Sequence, residues 1–155
     1  MQHEHYLREA IELAKQSVDL GGGPFGCVIV RGGEIVGRGH NRVTPDRDPS
    51  AHAEIVAIRD ACRKLGTHQL DGCDLYASCE PCPMCLGAIY WARAGSIWYA
   101  ADRHDAAAGG FDDAFIYDEI ARSPRTRRLP SQQARVAEAF SPFEKWIAHE
   151  KRVRY

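Results

Sequence analysis

Two short stretches constrain this chain more than anything else in it: His52-Ala53-Glu54, and Cys79-Glu80-Pro81-Cys82-Pro83-Met84-Cys85 further on. Pro81 stands between a strand-like run and a helical one, where a first-turn proline belongs. That reading puts Cys82 and Cys85 on the opening turn of a helix, three residues apart and on one face. Free N–H groups at such an end favour thiolates. Ser50 is the expected N-cap of an earlier helix, with His52 and Glu54 in its first turn. One histidine and two thiolates make a three-ligand zinc site whose fourth position is left to water. Glu54 lies beside the histidine without being needed as a ligand, which suits a general acid/base.

Each half of the pattern has other readings. A lone Cys-x-x-Cys also marks a redox pair, or half of a closed structural zinc site. A redox pair has no use for His-x-Glu. A closed site wants a fourth protein ligand, for which Cys79 and His40 are the candidates. The joint pattern favours the open, catalytic site.

The chain has 155 residues, expected to form one domain, 1–155, with enough interior for a core. A formal net charge of −1 argues against broad attraction to nucleic acid or an acidic membrane. No apolar run approaches the roughly 18 residues that span a bilayer. The N-terminus lacks the basic and then apolar segments of a signal peptide. Six cysteines do not make a disulfide scaffold, so a reducing cytoplasm is the expected home. Cys27, Cys62 and Cys73, among apolar neighbours, read as inert core residues.

Apolar residues at helical spacing from Tyr6 to Val18 predict a helix that Gly21-Gly22-Gly23 stops. Gly26 to Val30 reads as a buried strand, Gly32-Gly33 as a hairpin turn, and Glu34 to Asn41 as the returning strand. After a polar loop from Thr44 to Pro49, a helix runs from Ser50 to near Gly66. Cys73 to Ser78 is a third strand, the cysteine helix continues to Ala92, and Gly95 to Ala101 is a fourth strand. Asp113 to Ile120 reads as a helix, and the basic stretch from Arg125 to Arg128 as a solvated linker. A weak fifth strand is expected near Ala134 to Ala137. Ser141-Pro142 opens a last helix with Phe143, Trp146 and Ile147 on one side. This order implies a mixed sheet with helices on both faces.

The motifs and the order of elements resemble the cytidine-deaminase-like zinc fold, a three-layer α/β/α sandwich, here expected on a mixed five-stranded sheet. Within it, Gly23-Pro24-Phe25-Gly26, His52-Ala53-Glu54, the run from Cys79 to Arg93 and Gly110-Phe111-Asp112-Asp113 resemble the small bacterial guanine deaminases. The resemblance runs nearly end to end and includes Tyr155. The zinc motif belongs to the whole superfamily and does not choose the base; Gly110 to Ile116 and the tyrosine are more selective.

The resemblance implies hydrolysis of guanine to xanthine and ammonia. It implies zinc on His52, Cys82 and Cys85, with Glu54 moving protons. It places Asn41, Asp113 and Tyr155 against the purine, with Phe25 and Trp91 on its faces. It also implies a homodimer in which the C-terminal segment, 140–155, crosses to the neighbouring subunit. The amide of Ala53, between ligand and base, is positioned to hold a substrate carbonyl or ring nitrogen. Asn41 both donates and accepts, which suits a purine edge, whereas Asp113 accepts only and suits N–H groups. The rival expectations are a deaminase for guanosine, cytosine or adenosine in transfer RNA, and, from another class, a non-catalytic protein with structural zinc.

Overall fold

Alternation along one central strand decides which helix covers which face of the sheet. In the computed structural model, which describes residues 2–155, the chain divides into two units, residues 1–114 and 115–155. The first begins with α1 (Gln2–Asp19), the hairpin strands β1 (Gly26–Arg31) and β2 (Glu34–His40), and a short α2 (Val43–Asp46). It continues through α3 (Ala53–Leu65), β3 (Cys73–Cys79), α4 (Pro83–Ala92), β4 (Ser96–Ala101) and α5 (Arg103–Ala108). On β1, Cys27 and Ile29 pack with Ala53, Ala57 and Ala61 of α3 and Ile89 of α4. Val28 and Val30, one position over, pack with Tyr6 of α1 and with Tyr76. The sheet therefore carries α1 on one face and α3 with α4 on the other.

The sheet has four strands among the described residues, in the order β2-β1-β3-β4. β1 runs antiparallel to both β2 and β3, and β4 is parallel to β3. This corrects the expectation of five strands. Residues 134–136 take no regular structure, and Ala137 opens a short 3-10 turn, Ala137–Phe140. Val136 is the one strongly apolar residue of that stretch and stands exposed, so no alternating face exists to dock on a sheet.

α3 lies unusually low on β2. Its alanines 53, 57 and 61 recur every fourth residue and face Gly37 and Gly39. A methyl on Gly39 would collide with the Ala53 carbonyl and the Ala57 amide. One on Gly37 would come within 2.7 Å of the Ala57 carbonyl and the Ala61 methyl. Helix backbone thus rests almost on strand backbone, which fixes the height at which the start of α3 meets the strand ends.

The second unit is tied together around Glu119 of α6 (Ala114–Ala121). Its carbonyl accepts from Arg127 Nε at 2.9 Å, and its carboxylate accepts from the Arg128 amide at 2.6 Å and pairs with Arg122 at 3.2 Å. Further along, α7 (Ser141–Ala148) presents Phe143, Trp146 and Ile147 at 58%, 40% and 57% exposure. Ser141 is the first helical residue of α7, and not its cap as the sequence suggested. Among the described residues no helix is long and apolar enough to cross a membrane.

Candidate active site

His52 and Cys82 are themselves the N-caps of α3 and α4. The sequence had placed them inside the first turns, after Ser50 and Pro81. Ser50 instead bonds its hydroxyl to Asp48 at 2.7 Å, and the proline at the start of α4 is Pro83. The correction matters for the chemistry, because a cap's extended backbone turns its side chain across the helix end. Cys85 follows on the first turn of α4 and is wholly buried.

The donor atoms of His52, Cys82 and Cys85 lie within 4.8 Å of one another. His52 Nδ1 is 3.5 Å from each sulfur. Zinc bound tetrahedrally at the usual N and S distances sets N···S separations of about 3.6 Å, so the three donors already stand at coordination spacing. Neither proposed fourth ligand joins them. The Cys79 thiol, kept neutral by burial at a pKa of about 11, faces the Asp102 carbonyl at 3.6 Å. His40 Nδ1 lies 3.2 Å from the Asn41 carbonyl. The set is open, as a catalytic site requires.

Electrostatics polarise the pair of thiols. The Cys85 thiol bonds to Cys82, and with help from His52 it brings the Cys82 pKa down to about 4. Cys85 is pushed upward by the same bond and by burial. Its bond to Cys82 raises His52 as well. The metal-free cluster therefore holds a thiolate at Cys82 and a thiol at Cys85, with His52 biased towards its charged form.

A cavity of about 480 Å³ opens over these donors, of the size that takes small ligands. Glu54, Asn41, Phe25 and Asp113 line it together with His52 and Cys82. Glu54 is buried, which raises its carboxyl above the usual carboxylate range; bonds from its own backbone amide and from Cys85 oppose the rise. Burial also raises Asp113. The Phe25 ring meets Phe111 edge-on, with centroids 4.9 Å apart.

Asn41 is held from four sides. Its amide donates to the Phe25 carbonyl at 3.0 Å, and its carbonyl accepts from the buried Ser17 hydroxyl at 2.9 Å. Its side-chain oxygen accepts from the amides of Gly23 at 3.1 Å and Val43 at 3.2 Å. Gly22 has no room for a side chain here, since a methyl would strike the Asn41 carbonyl. With Oδ1 committed to backbone, Asn41 presents its NH2 group, so it acts as a donor instead of reading both ways.

Two further expected residues belong to helices of the first unit. Ala53, the first residue of α3, is buried, and Trp91 is 66% exposed on α4; neither is among the residues that line the cavity. Tyr155 belongs to the second unit and is 69% exposed. Sequence reasoning missed Arg103, Glu80 and Phe111 as lining residues. It also missed α5, whose capping box of Asp102 and Asp105 was a readable signal.

Fold and donor set define a zinc-dependent deaminase. A family profile described as the cytidine and deoxycytidylate deaminase zinc-binding region matches residues 1–101. The chain belongs to that family, on its bacterial guanine-deaminase branch. The guanine deaminase of Bacillus subtilis is 55% identical over 147 residues, 94% of each chain. Its X-ray structure superposes with a TM-score of 0.97 at 52% identity, covering 100% of this chain and 99% of that one. The tRNA-specific adenosine deaminase of Aquifex aeolicus is 40% identical over 128 residues, 82% of this chain and 83% of the relative.

Proposed function

We propose that this chain hydrolyses guanine to xanthine and ammonia. The observation that carries the proposal is the convergence, in one cavity, of an open His/Cys/Cys donor set, a buried carboxyl, an amide donor and a carboxylate acceptor. The guanine deaminase similarity along 94% of the chain supports the choice of base. His52, Cys82 and Cys85 hold the metal. Zinc, when bound, lowers the pKa of water towards neutrality and makes a nucleophile available at physiological pH.

Glu54 takes the proton of the attacking water and passes it to ring N3 as C2 becomes tetrahedral; it then takes the proton of the new C2 hydroxyl and gives it to the amine, which leaves as ammonia as the C2 carbonyl forms. Its burial suits this exchange, because a carboxyl raised towards neutrality both accepts and returns a proton. The Asn41 NH2 donates to an acceptor on the far edge of the purine, O6 or N7. Asp113 accepts from guanine N–H groups, and Phe25 covers a face of the ring. Buried polar edges of a ligand need such partners, since each one left unpaired costs about 1–3 kcal/mol.

The working unit is a homodimer in which segment 140–155 crosses to the neighbour and brings Tyr155 to its site. Two features support this. The second unit leaves Phe140, Phe143, Trp146 and Ile147 exposed, as the first leaves Tyr90 and Trp91. Residues 115–155 carry nine basic against five acidic side chains, whereas residues 1–114 carry eleven against sixteen. Opposite charge on the two parts favours association between chains. A cytoplasmic setting accords with six cysteines that all remain free thiols.

Ammonia release from guanine, guanosine, adenine, cytosine and a transfer-RNA anticodon stem-loop tests the assignment. Turnover of guanine far above the others is expected. Equal turnover of guanosine, or preference for the RNA, would overturn it.

A further inference from the structure

The cavity wall contains a charge pair that the proposed chemistry does not use. Glu80 follows β3 and stands two residues before Cys82, and Arg103 opens α5 just after β4. Because β3 and β4 are parallel, with Cys79 beside Ala101, both residues leave the sheet at the same end. The Glu80 amide donates to the Ala101 carbonyl at 2.9 Å. Arg103 donates three times to the Glu80 carboxylate: from its amide and Nε to Oε2, each at 3.1 Å, and from Nη2 to Oε1 at 2.6 Å. Two parallel bonds between guanidinium and carboxylate fix plane as well as distance. The Glu80 side chain is only 18% exposed, so water competes weakly for it.

The two ends of this bracket lead to different parts of the site. On the Glu80 side the next residues are Pro81 and Cys82. On the Arg103 side, α5 continues into a turn closed by local bonds. The Gly109 amide donates to the Asp105 carbonyl at 3.1 Å, Gly110 to Ala107 at 3.0 Å, and Phe111 to Ala106 at 2.9 Å. Asp113 follows two residues later. The chain from Arg103 to Asp113 is thus short and tied by hydrogen bonds from Asp105 to Phe111.

We propose that Glu80 and Arg103 are a positioning pair that sets the separation between the metal-holding segment at Cys82 and the purine-reading segment at Asp113. The inference rests on the reading of Asp113 as an acceptor for guanine. Its consequence is that breaking the bracket weakens purine binding through Asp113 and leaves the metal in place.

The test compares Arg103→Gln, Arg103→Lys, Glu80→Gln, Asp113→Ala and the double variant Arg103→Gln/Asp113→Ala, all as zinc-loaded full chains. Zinc content, guanine kinetics and calorimetric binding of hypoxanthine, which has no C2 amine to lose, are measured for each. Arg103→Gln and Glu80→Gln are expected to raise guanine KM and hypoxanthine Kd by about tenfold, with kcat within about threefold and zinc retained. Arg103→Lys should fall between, since a point charge cannot make the fork. In the Asp113→Ala background, Arg103→Gln should add nothing. Full additivity with Asp113→Ala, unchanged binding, or loss of zinc in step with kcat would overturn the inference while the guanine assignment stands. A wild-type chain inactive on guanine would overturn the assignment and the inference together; Asp113→Ala with unchanged KM would remove the reading of Asp113 and with it the inference, leaving the assignment. Should Arg103→Gln not fold, Arg103→Lys with and without Asp113→Ala decides by the same comparison.

Discussion

His52 and Cys82 occupy the same station on different helices: each is an N-cap with φ −67°, at ψ 156° and 168° respectively. Neither side chain caps its own helix. Both are thereby free to turn towards each other, and His52 Nδ1 reaches Cys82 Sγ at 3.5 Å. Two helix N-termini, whose dipoles favour negative charge, thus converge on the place where the negative sulfur sits.

Metal uptake should expel protons. Cys82 is already a thiolate near neutrality, whereas Cys85 keeps its proton and His52 is biased towards its charged form in the metal-free cluster. On the order of one to two protons should leave per zinc bound near neutral pH, and affinity should fall in acid. Calorimetric titration in buffers of different ionisation heat measures the number. Uptake without proton release would contradict the assigned charge state.

Glu54→Gln should uncouple activity from stability. Burial raises the Glu54 carboxyl in the folded state. A carboxyl so raised lends stability below its unfolded value of about 4.3, and this is lost as pH rises through the folded value. The metal-free variant should therefore melt above wild type at about pH 7.5, with the gap closing towards about pH 4. The zinc-loaded variant should lose on the order of 10²–10⁴-fold in kcat at unchanged metal content. A melting gap that widens in acid, or activity retained, would count against the role given to Glu54.

Gly39→Ala should strike the site from a distance. The added methyl meets the backbone of α3 at Ala53 and Ala57, where nothing flexible is available to yield. A loss of about 1–3 kcal/mol in urea unfolding is expected, together with weaker zinc binding as the start of α3 lifts. Wild-type stability with wild-type zinc affinity would show that the close contact is not needed.

Asp113→Ala and removal of Tyr155 should each reduce guanine turnover without loss of zinc. A pocket that pairs specific N–H groups discriminates by about 10⁴-fold or more, so selectivity over adenine should collapse in the first variant. Steady-state rates on guanine, guanosine and adenine check both.

The proposed homodimer should weaken with salt. Charges of opposite balance before and after residue 114 attract across chains, and screening reduces that attraction. Light scattering at micromolar protein should give twice the chain mass at low salt, and Trp146→Ala should shift it towards monomer. A monomer under all conditions would remove the exchanged segment from the proposal.

Legibility in the sequence followed the range of the interactions. The donor set was readable because histidine and cysteine at those spacings have few other uses. The helix starts were misplaced by about two residues, because Ser50 looks like a cap but bonds Asp48 instead, and because two prolines compete to open α4. Gly37 and Gly39 carry no side chains to form a pattern, so the low seat of α3 left no trace in periodicity. The Glu80–Arg103 bracket joins residues far apart in the chain through a parallel strand pair, and no local signal announces it. The expected fifth strand failed on local grounds: Val136 is the one strongly apolar residue of its stretch, so nothing there alternates.

The way Asn41 is held separates two properties within one side chain. Its oxygen serves the protein, anchoring the loop through Gly23 and Val43, while its nitrogen faces the cavity. An aspartate in its place would keep both backbone bonds, at the cost of a buried charge beside Glu54 and Asp113. The edge turned to the purine would nevertheless invert from donor to acceptor. Chemical ageing at this one position would thus keep the loop anchored while reversing what the proposed purine site offers its ligand.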